Sequence, residues 1–339
     1  MPGVRAALFK PLRPGYSQLS TLNSQLKETI FGHPEFTAFN ATATQLFAKW
    51  KKANTPHLLS FTRDGHPKAL IETISESLLA TFEHAPLLDA YDVYQHLMDY
   101  WSGTMQDDCY LIAGDGWVQA AQPQLIIDDK TRKTKVRPDF SLGKKRYAAE
   151  LIPPALVIAR YYAKEQAKIE SLEAETAAFQ QQLEELAEEH GGEGGLLEDA
   201  RNDKDKLTKV SVAARLKEIK QDPDSADERK VLQTYLDLAE EESDTSTKMK
   251  AAQDALIVKV AAKYGQLTED EIKTLVVDDK WFTTLAAAVQ GELDRVSQTL
   301  TSRIRLLANR YAAPLPQIVD EVVQLAAKVA AHLQKMGAY

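Results

Sequence analysis

Residues 169–190 read IESLEAETAAFQQQLEELAEEH, with Ile169, Leu172, Phe179, Leu183 and Leu186 three, four or seven positions apart. Glu, Gln and Ala fill most of the gaps. Apolar residues at that spacing form a narrow seam that suits one partner helix better than a globular core. Met249, Ala252, Leu256 and Val260 carry a matching seam further on. Together they predict a long antiparallel, coiled-coil-like helical hairpin over residues 151–263. The runs GGEGG at 191–195 and QDPDS at 221–225 interrupt it. Between them residues 197–220 read as a further helix, with Leu207, Val210, Ala214 and Leu216 on its apolar side.

Working outward toward the N-terminus, Pro2, Gly3, Pro11, Pro14 and Gly15 predict an irregular, extended leading segment over residues 1–20. Helical patterning starts with Leu22, Leu26 and Ile30 and breaks at Gly32-His33-Pro34. A second helix carries Phe36, Phe39, Ala43, Leu46, Phe47 and Trp50, with Pro56 as its expected end. A third carries Leu70, Ile71, Ile74, Leu78, Leu79 and Phe82. The run from Pro86 to Trp101 is so rich in large apolar and aromatic side chains that burial on several sides is expected. Tyr110-Leu111-Ile112 and Gln124-Leu125-Ile126-Ile127 are β-prone, bounded by Gly114-Asp115-Gly116 and Pro123. They close a helical domain over residues 21–150 with a small β element near 110–147.

Toward the C-terminus, residues 264–339 predict a helical bundle. Thr268 and Glu271 have capping-box spacing. Leu285, Val289, Leu293, Val296, Leu300, Ile304, Leu307 and Tyr311 predict one long helix, stopped by Pro314 and Pro316. The last helix is amphipathic, with Ile318, Val322, Leu325, Val329, Leu333 and Met336 on one face. The fold class is therefore mainly α.

The formal charge of -8 excludes a uniformly basic nucleic-acid wrapper but leaves room for a local cationic patch. Lys130, Arg132, Lys133, Lys135, Arg137, Lys144, Lys145 and Arg146 form such a window against only Asp129 and Asp139, and they are the candidates for contact with a DNA backbone. The single cysteine, Cys109, excludes an intrachain disulfide and a cysteine-based zinc site. No apolar run is long enough to span a membrane, and the N-terminus lacks a signal-peptide core, so a cytoplasmic location is expected.

Four stretches carry a family resemblance: LDAYDVYQHLMDYW at 88–101 with QDD at 106–108, KYGQLTEDEIKTLVVDDKW at 263–281, LTSRIRLLANRY at 300–311, and HLQKMG at 332–337. In content and order they resemble the C-terminal region of the modification subunit of type I restriction–modification systems, in its longer variety. That resemblance implies a complete subunit that methylates adenine N6 in DNA with S-adenosylmethionine. It also implies partners: a specificity subunit, a second modification subunit, and DNA held within the complex.

The catalytic signatures of such a subunit are missing from this chain. The only double proline, Pro153-Pro154, is preceded by Ile152 and followed by Ala155, where the chemistry needs a polar residue and an aromatic around an extruded base. Gly114-Asp115-Gly116 is too short for a cofactor loop. No catalytic residue, metal ligand or cofactor is therefore assigned to this chain, and it is expected to transfer no methyl group alone. The expected role is assembly with the specificity subunit and DNA clamping, with Val322, Leu325, Val329, Leu333 and Met336 as candidates for partner binding. The alternative is a free-standing coiled-coil adaptor with no DNA role. Pro138-Asp139 with Glu150 faintly resembles a metal-dependent nuclease core, but Ile152 stands where a lysine would activate water. The pairs Asp107-Asp108, Asp128-Asp129 and Asp278-Asp279 are expected to cap helices or form salt bridges.

Overall fold

The structure, a computed structural model, describes residues 6, 9–13, 16–19, 26–127, 137–202, 205–310 and 315–337. In chain order, strands β1 (Phe9–Arg13) and β2 (Tyr16–Leu19) precede helices α1 (Leu26–Phe31), α2 (Pro34–Leu59), α3 (Pro67–Phe82) and α4 (Ala90–Tyr100). A π-helical turn, Trp101–Met105, leads into α5 (Gln106–Asp115) and the short α6 (Trp117–Ala120). Strands β3 (Gln124–Leu125), β4 (Phe140–Leu142) and β5 (Lys145–Ala148) follow, then α7 (Pro154–Tyr161), α8 (Ala163–His190), α9 (Lys209–Glu218), α10 (Ala226–Tyr264) and α11 (Glu269–Lys273). A second π-helical segment, Thr274–Phe282, leads into α12 (Thr283–Arg310), and α13 (Leu315–Lys335) ends the chain.

These elements divide into two compact units. One comprises Met1–Gly116 with Val276–Tyr339, the other Trp117–Leu275. The first is held by helices whose buried residues fall on rows four apart: Leu70, Ile74, Leu78 and Phe82 on α3, and Val93, Leu97, Trp101, Met105 and Cys109 from α4 into α5. Such rows are the ridges that interlock when helices pack. A row with interval four drifts about 40° per step around an ideal α-helix. The π turn at Trp101–Met105, with hydrogen bonds reaching one residue further, offsets part of that drift and keeps the row facing the core. Val277, Trp281, Leu285, Val289, Leu293, Ser297 and Thr301 form a second such row, and α12 uses it to lie against α4, α2 and α1 in turn. Phe282 meets Trp50 (5.8 Å) and Phe47 (6.4 Å) edge-on at the centre, and Trp50 Nε1 donates to Ile74 O at 3.1 Å.

The second unit contains the hairpin. Gln180 donates to Glu242 (3.0 Å), Gln253 to Glu173 (3.1 Å) and Lys259 to Glu165 (3.0 Å). Partner numbers rise on one helix as they fall on the other, so α8 and α10 are antiparallel, with Ile169, Leu256 and Val260 buried. Leu197, Ala200, Val212, Ile219, Leu232, Tyr235 and Ala239 form a small separate core where the two helices are connected. At the other end Tyr264 Oη donates to Ile152 O (2.6 Å), and the Phe140 ring stacks on Tyr264 and Tyr147 of the three-stranded sheet β3-β5-β4.

Several expectations are corrected. Tyr110–Ile112 is helical within α5, because Met105, Cys109 and Ile112 all bury on one face and their helical spacing overrides β-propensity. Of Gln124–Ile127 only Gln124–Leu125 pairs as strand. Residues 9–13 and 16–19 are paired antiparallel strands where an irregular segment was expected. Helix α2 runs through Pro56 to Leu59, since burial of Asn54 and Leu58 on either side outweighs the lost hydrogen bond. Between the arm's breaks only Lys209–Glu218 is a full helix, started by a Thr208/Ser211 capping box; Val210 is 81% exposed and Val212 and Ile219 are buried instead. In α4, Tyr91 faces outward. Beyond Leu293 the buried row of α12 passes to the hydroxyls of Ser297 and Thr301, leaving Leu300 and Leu307 exposed.

The predicted capping box is present: Thr268 accepts from Glu271 N (3.3 Å), and Glu271 Oε2 accepts from Thr268 N (2.9 Å). Glu271 Oε1 also accepts from Lys263 Nζ (2.8 Å) and Tyr161 Oη (3.0 Å). The Lys263 bond, then the Thr268 amide, hold its carboxyl down at about 2, against an ordinary 4.5. A depressed carboxylate contributes stability above its unfolded pKa and loses it as pH falls through the folded one. Urea titrations of the chain between pH 5 and pH 2 should therefore show a loss of stability, and Glu271→Gln should flatten part of that slope; an unchanged slope would remove this role.

Candidate functional site

The described residues hold no group of three or more His, Cys, Asp or Glu side chains that could bind a metal ion. No described helix is long and apolar enough to cross a membrane. Among the carboxylates singled out in the sequence, Asp108, Asp139 and Asp278 are engaged structurally. Asp139 Oδ2 accepts from Ala149 N (2.6 Å), next to the buried Leu151 and Ile152. Asp278 pairs with Lys51 at 2.8 Å. Asp128 and Asp129 lie outside the described residues. Gly114 lies in α5 and Gly116 caps it with φ +78°, a helix end that only glycine adopts without strain. Pro153 is the N-cap of α7 and Pro154 its first residue.

Asp108 joins two of the stretches that carry the resemblance. Its carboxylate is buried at the start of α5, where it accepts from Lys280 Nζ and from Trp281 Nε1, both at 2.8 Å and from the second π-helical segment. Tyr100 Oη donates to Lys280 O nearby (3.4 Å). Burial outweighs the attraction of Lys280 and raises the Asp108 carboxyl above its ordinary range; it also pushes the Tyr100 hydroxyl and the adjacent Cys109 thiol up to about 12. A thiol so raised and so buried is no nucleophile. The arrangement fixes one helix against another and offers no open face to a substrate.

No family model, curated protein or solved structure matches the chain.

The first surface is α13. Val322, Leu325 and Val329 are 58%, 59% and 57% exposed, and Met336 is 76% exposed; Leu333 is half-buried. Val319 and Val323 widen the stripe. An amphipathic helix four to six turns long that leaves its apolar face in water marks a place for another helix. The second is the basic window. Lys130, Arg132, Lys133 and Lys135 lie outside the described residues. Arg137, Lys144 and Lys145 are exposed, and Arg146 is half-buried. Lys144 and Lys145 sit at the tip of the β4–β5 hairpin, where Gly143 takes the positive φ (+59°) of a tight turn. The structure thus places Lys144, Lys145 and Arg146 in the β4–β5 hairpin, with Arg137 three residues before β4. Sequence reading missed a third surface, the lysine face of α9, because that helix was read only for its apolar row.

Breaking the Asp108 pair separates its role from that of a surface pair. Lys280→Ala strands a buried carboxylate and should cost about 3–5 kcal/mol of stability in denaturant melts. Lys51→Ala removes the partly exposed Asp278 pair and should cost about 1 kcal/mol or less. Equal effects would contradict the assignment.

Proposed function

We propose that this chain is the region of a type I modification subunit that lies beyond the methyltransferase domain, and that it serves assembly. On this reading it performs no methyl transfer itself. It holds the specificity subunit, a second modification subunit completes the complex, and DNA is clamped within it. The exposed apolar stripe of α13 carries the proposal. A helix with Val322, Leu325, Val329 and Met336 open to water has not yet gained from that face and gains by burying it against a long helix. Acidic Asp320 and Glu321 near its start and Lys328 and Lys335 toward its end give the face a polarity that fixes the direction of a helical partner.

Two further features support it. The stretches 106–108 and 263–281, quoted for the resemblance from distant parts of the sequence, meet at Asp108, Lys280 and Trp281, as a shared structural requirement would need. The antiparallel arm has a charged, mostly exposed surface with a narrow seam, as suits a docking element. DNA clamping draws on Arg137, Lys144 and Lys145 at the sheet.

Co-expression with a specificity subunit tests the proposal. The two should co-purify. Leu325→Glu with Val329→Glu should weaken the complex by on the order of a hundredfold while leaving the melting of the isolated chain unchanged. A complex that survives both substitutions, or none at all with the native chain, would overturn it.

A further inference from the structure

Antiparallel helices such as α8 and α10 can be joined by roughly 2–8 residues. Here residues 191–225 join them, with a helix of their own, α9, and a separate small core that includes Leu197, Ala200, Val212 and Ile219. A turn alone does not require this. The charges at this end of the arm are sorted by residue type. Its arginines are occupied: Arg201 pairs with Asp205 (2.8 Å), Arg215 with Glu228 (2.7 Å) and Asp199 (3.1 Å), and Arg229 donates to Ile219 O (3.1 Å). Lys206, Lys209, Lys217 and Lys220 are exposed, and none is an ion-pair partner among the described residues. From Lys206 to Lys217 the sequence has no Asp or Glu. At about 100° per residue, Val210, Ala214 and Lys217 share the side of α9 opposite the buried Val212, with Lys209 at its edge. Helix α9 begins on Lys209 and has no acidic residue in its first turn, although the positive end of a helix dipole disfavours a cation. The lysines are therefore not placed for the helix's own stability.

The shaft of the arm has the opposite sign. Residues 169–200 and 231–247 contain no Lys or Arg, and Glu184, Glu185, Glu188, Glu240 and Glu241 are exposed. An anion repelled by the shaft is attracted at α9. Protein interfaces are depleted of lysine and close around an apolar centre. A membrane surface takes up a helix through a broad face of large apolar side chains. Val210 is the only large apolar side chain exposed among the described residues of 191–225, so neither partner fits. A phosphate backbone asks for point charges along a surface, and lysine supplies them. From Lys209 to Lys217 the helix rises about 12 Å, against about 3.4 Å of duplex axis for each phosphate of one strand.

We propose that the lysine face of α9 docks the sugar–phosphate backbone of duplex DNA. The choice of DNA among phosphate polymers rests on the assembly reading above. Helix α10 has 39 residues and is about 58 Å long, so this contact lies at the opposite end of the arm from the sheet that carries Lys144 and Lys145. It is independent of base sequence and of the α13 stripe.

Fluorescence anisotropy of the full chain with a labelled non-specific duplex, over a salt series, tests it. The native chain should bind at low salt. Lys206→Gln, Lys209→Gln and Lys217→Gln together should weaken binding by on the order of tenfold and lower the slope of log K against log salt by about 3. Each glutamine alone should lower the slope by about 1, so the test does not depend on the triple variant folding. Arginine at the same three positions should keep most of the affinity. No binding by the native chain, or an affinity and slope unchanged by the glutamines, would overturn the proposal. So would glutamine variants that release phosphatidylserine vesicles and hold DNA as the native chain does. The measurement contains no specificity subunit, so its failure is distinct from failure of the assembly reading, which co-purification scores.

Discussion

A buried carboxylate with two donors sets the terms for the first compact unit. Asp108 lies 172 residues from Lys280 and 173 from Trp281, yet all three meet in the core at hydrogen-bond distance. Desolvation makes the charged form of Asp108 unfavourable even with Lys280 beside it, so the contact is less a source of net stability than a condition on which packings are allowed. Any arrangement of α5 against the second π-helical segment that separates the three groups leaves a charge or an indole N–H buried without a partner. That condition helps hold Phe282 over Phe47 and Trp50 and directs α12 along α4, α2 and α1.

The two π-helical segments fit the same picture. Each carries part of a buried row with an interval of four, one through Trp101 and Met105, the other through Val277 and Trp281. Past the second, α12 is a regular α-helix, so its row winds about 160° between Leu285 and Thr301. The winding spends the buried face on Ser297 and Thr301 and leaves Leu300, Leu306 and Leu307 outside. The C-terminal end of this unit thus leaves apolar side chains exposed. In the other unit the narrow seam of α8 and α10 is satisfied by the hairpin itself, and a small core where the helices connect gives that end a defined shape.

Much of this was legible in the sequence. The seam of Ile169, Leu256 and Val260, the Thr268–Glu271 box and the length of α12 follow from spacing alone, since each is a local pattern with one physical solution. Tyr110–Ile112 misled because three β-prone residues say less than the burial row they belong to. Pro56 misled because a proline penalty is local and the burial of Leu58 is not. Val210 misled because the helix starts at Lys209, so its buried side is set by the Thr208 cap rather than by the apolar count. The Asp108 contact could not be read from either aspartate pair: a carboxylate's partner across 172 residues is a property of the packing. The α9 lysines had a plain signal, the absence of any carboxylate over residues 206–217.

If α13 is the grip, its apolar face must be open before the partner arrives. Hydrogen exchange followed by mass spectrometry, on the free chain and again with the specificity subunit, measures this directly. The expected result is fast exchange over residues 315–335 in the free chain, slow exchange over 101–112 and 274–293, and protection gained over 315–335 on mixing. Residues 315–335 as protected in the free chain as 274–293, and unaltered on mixing, would contradict it.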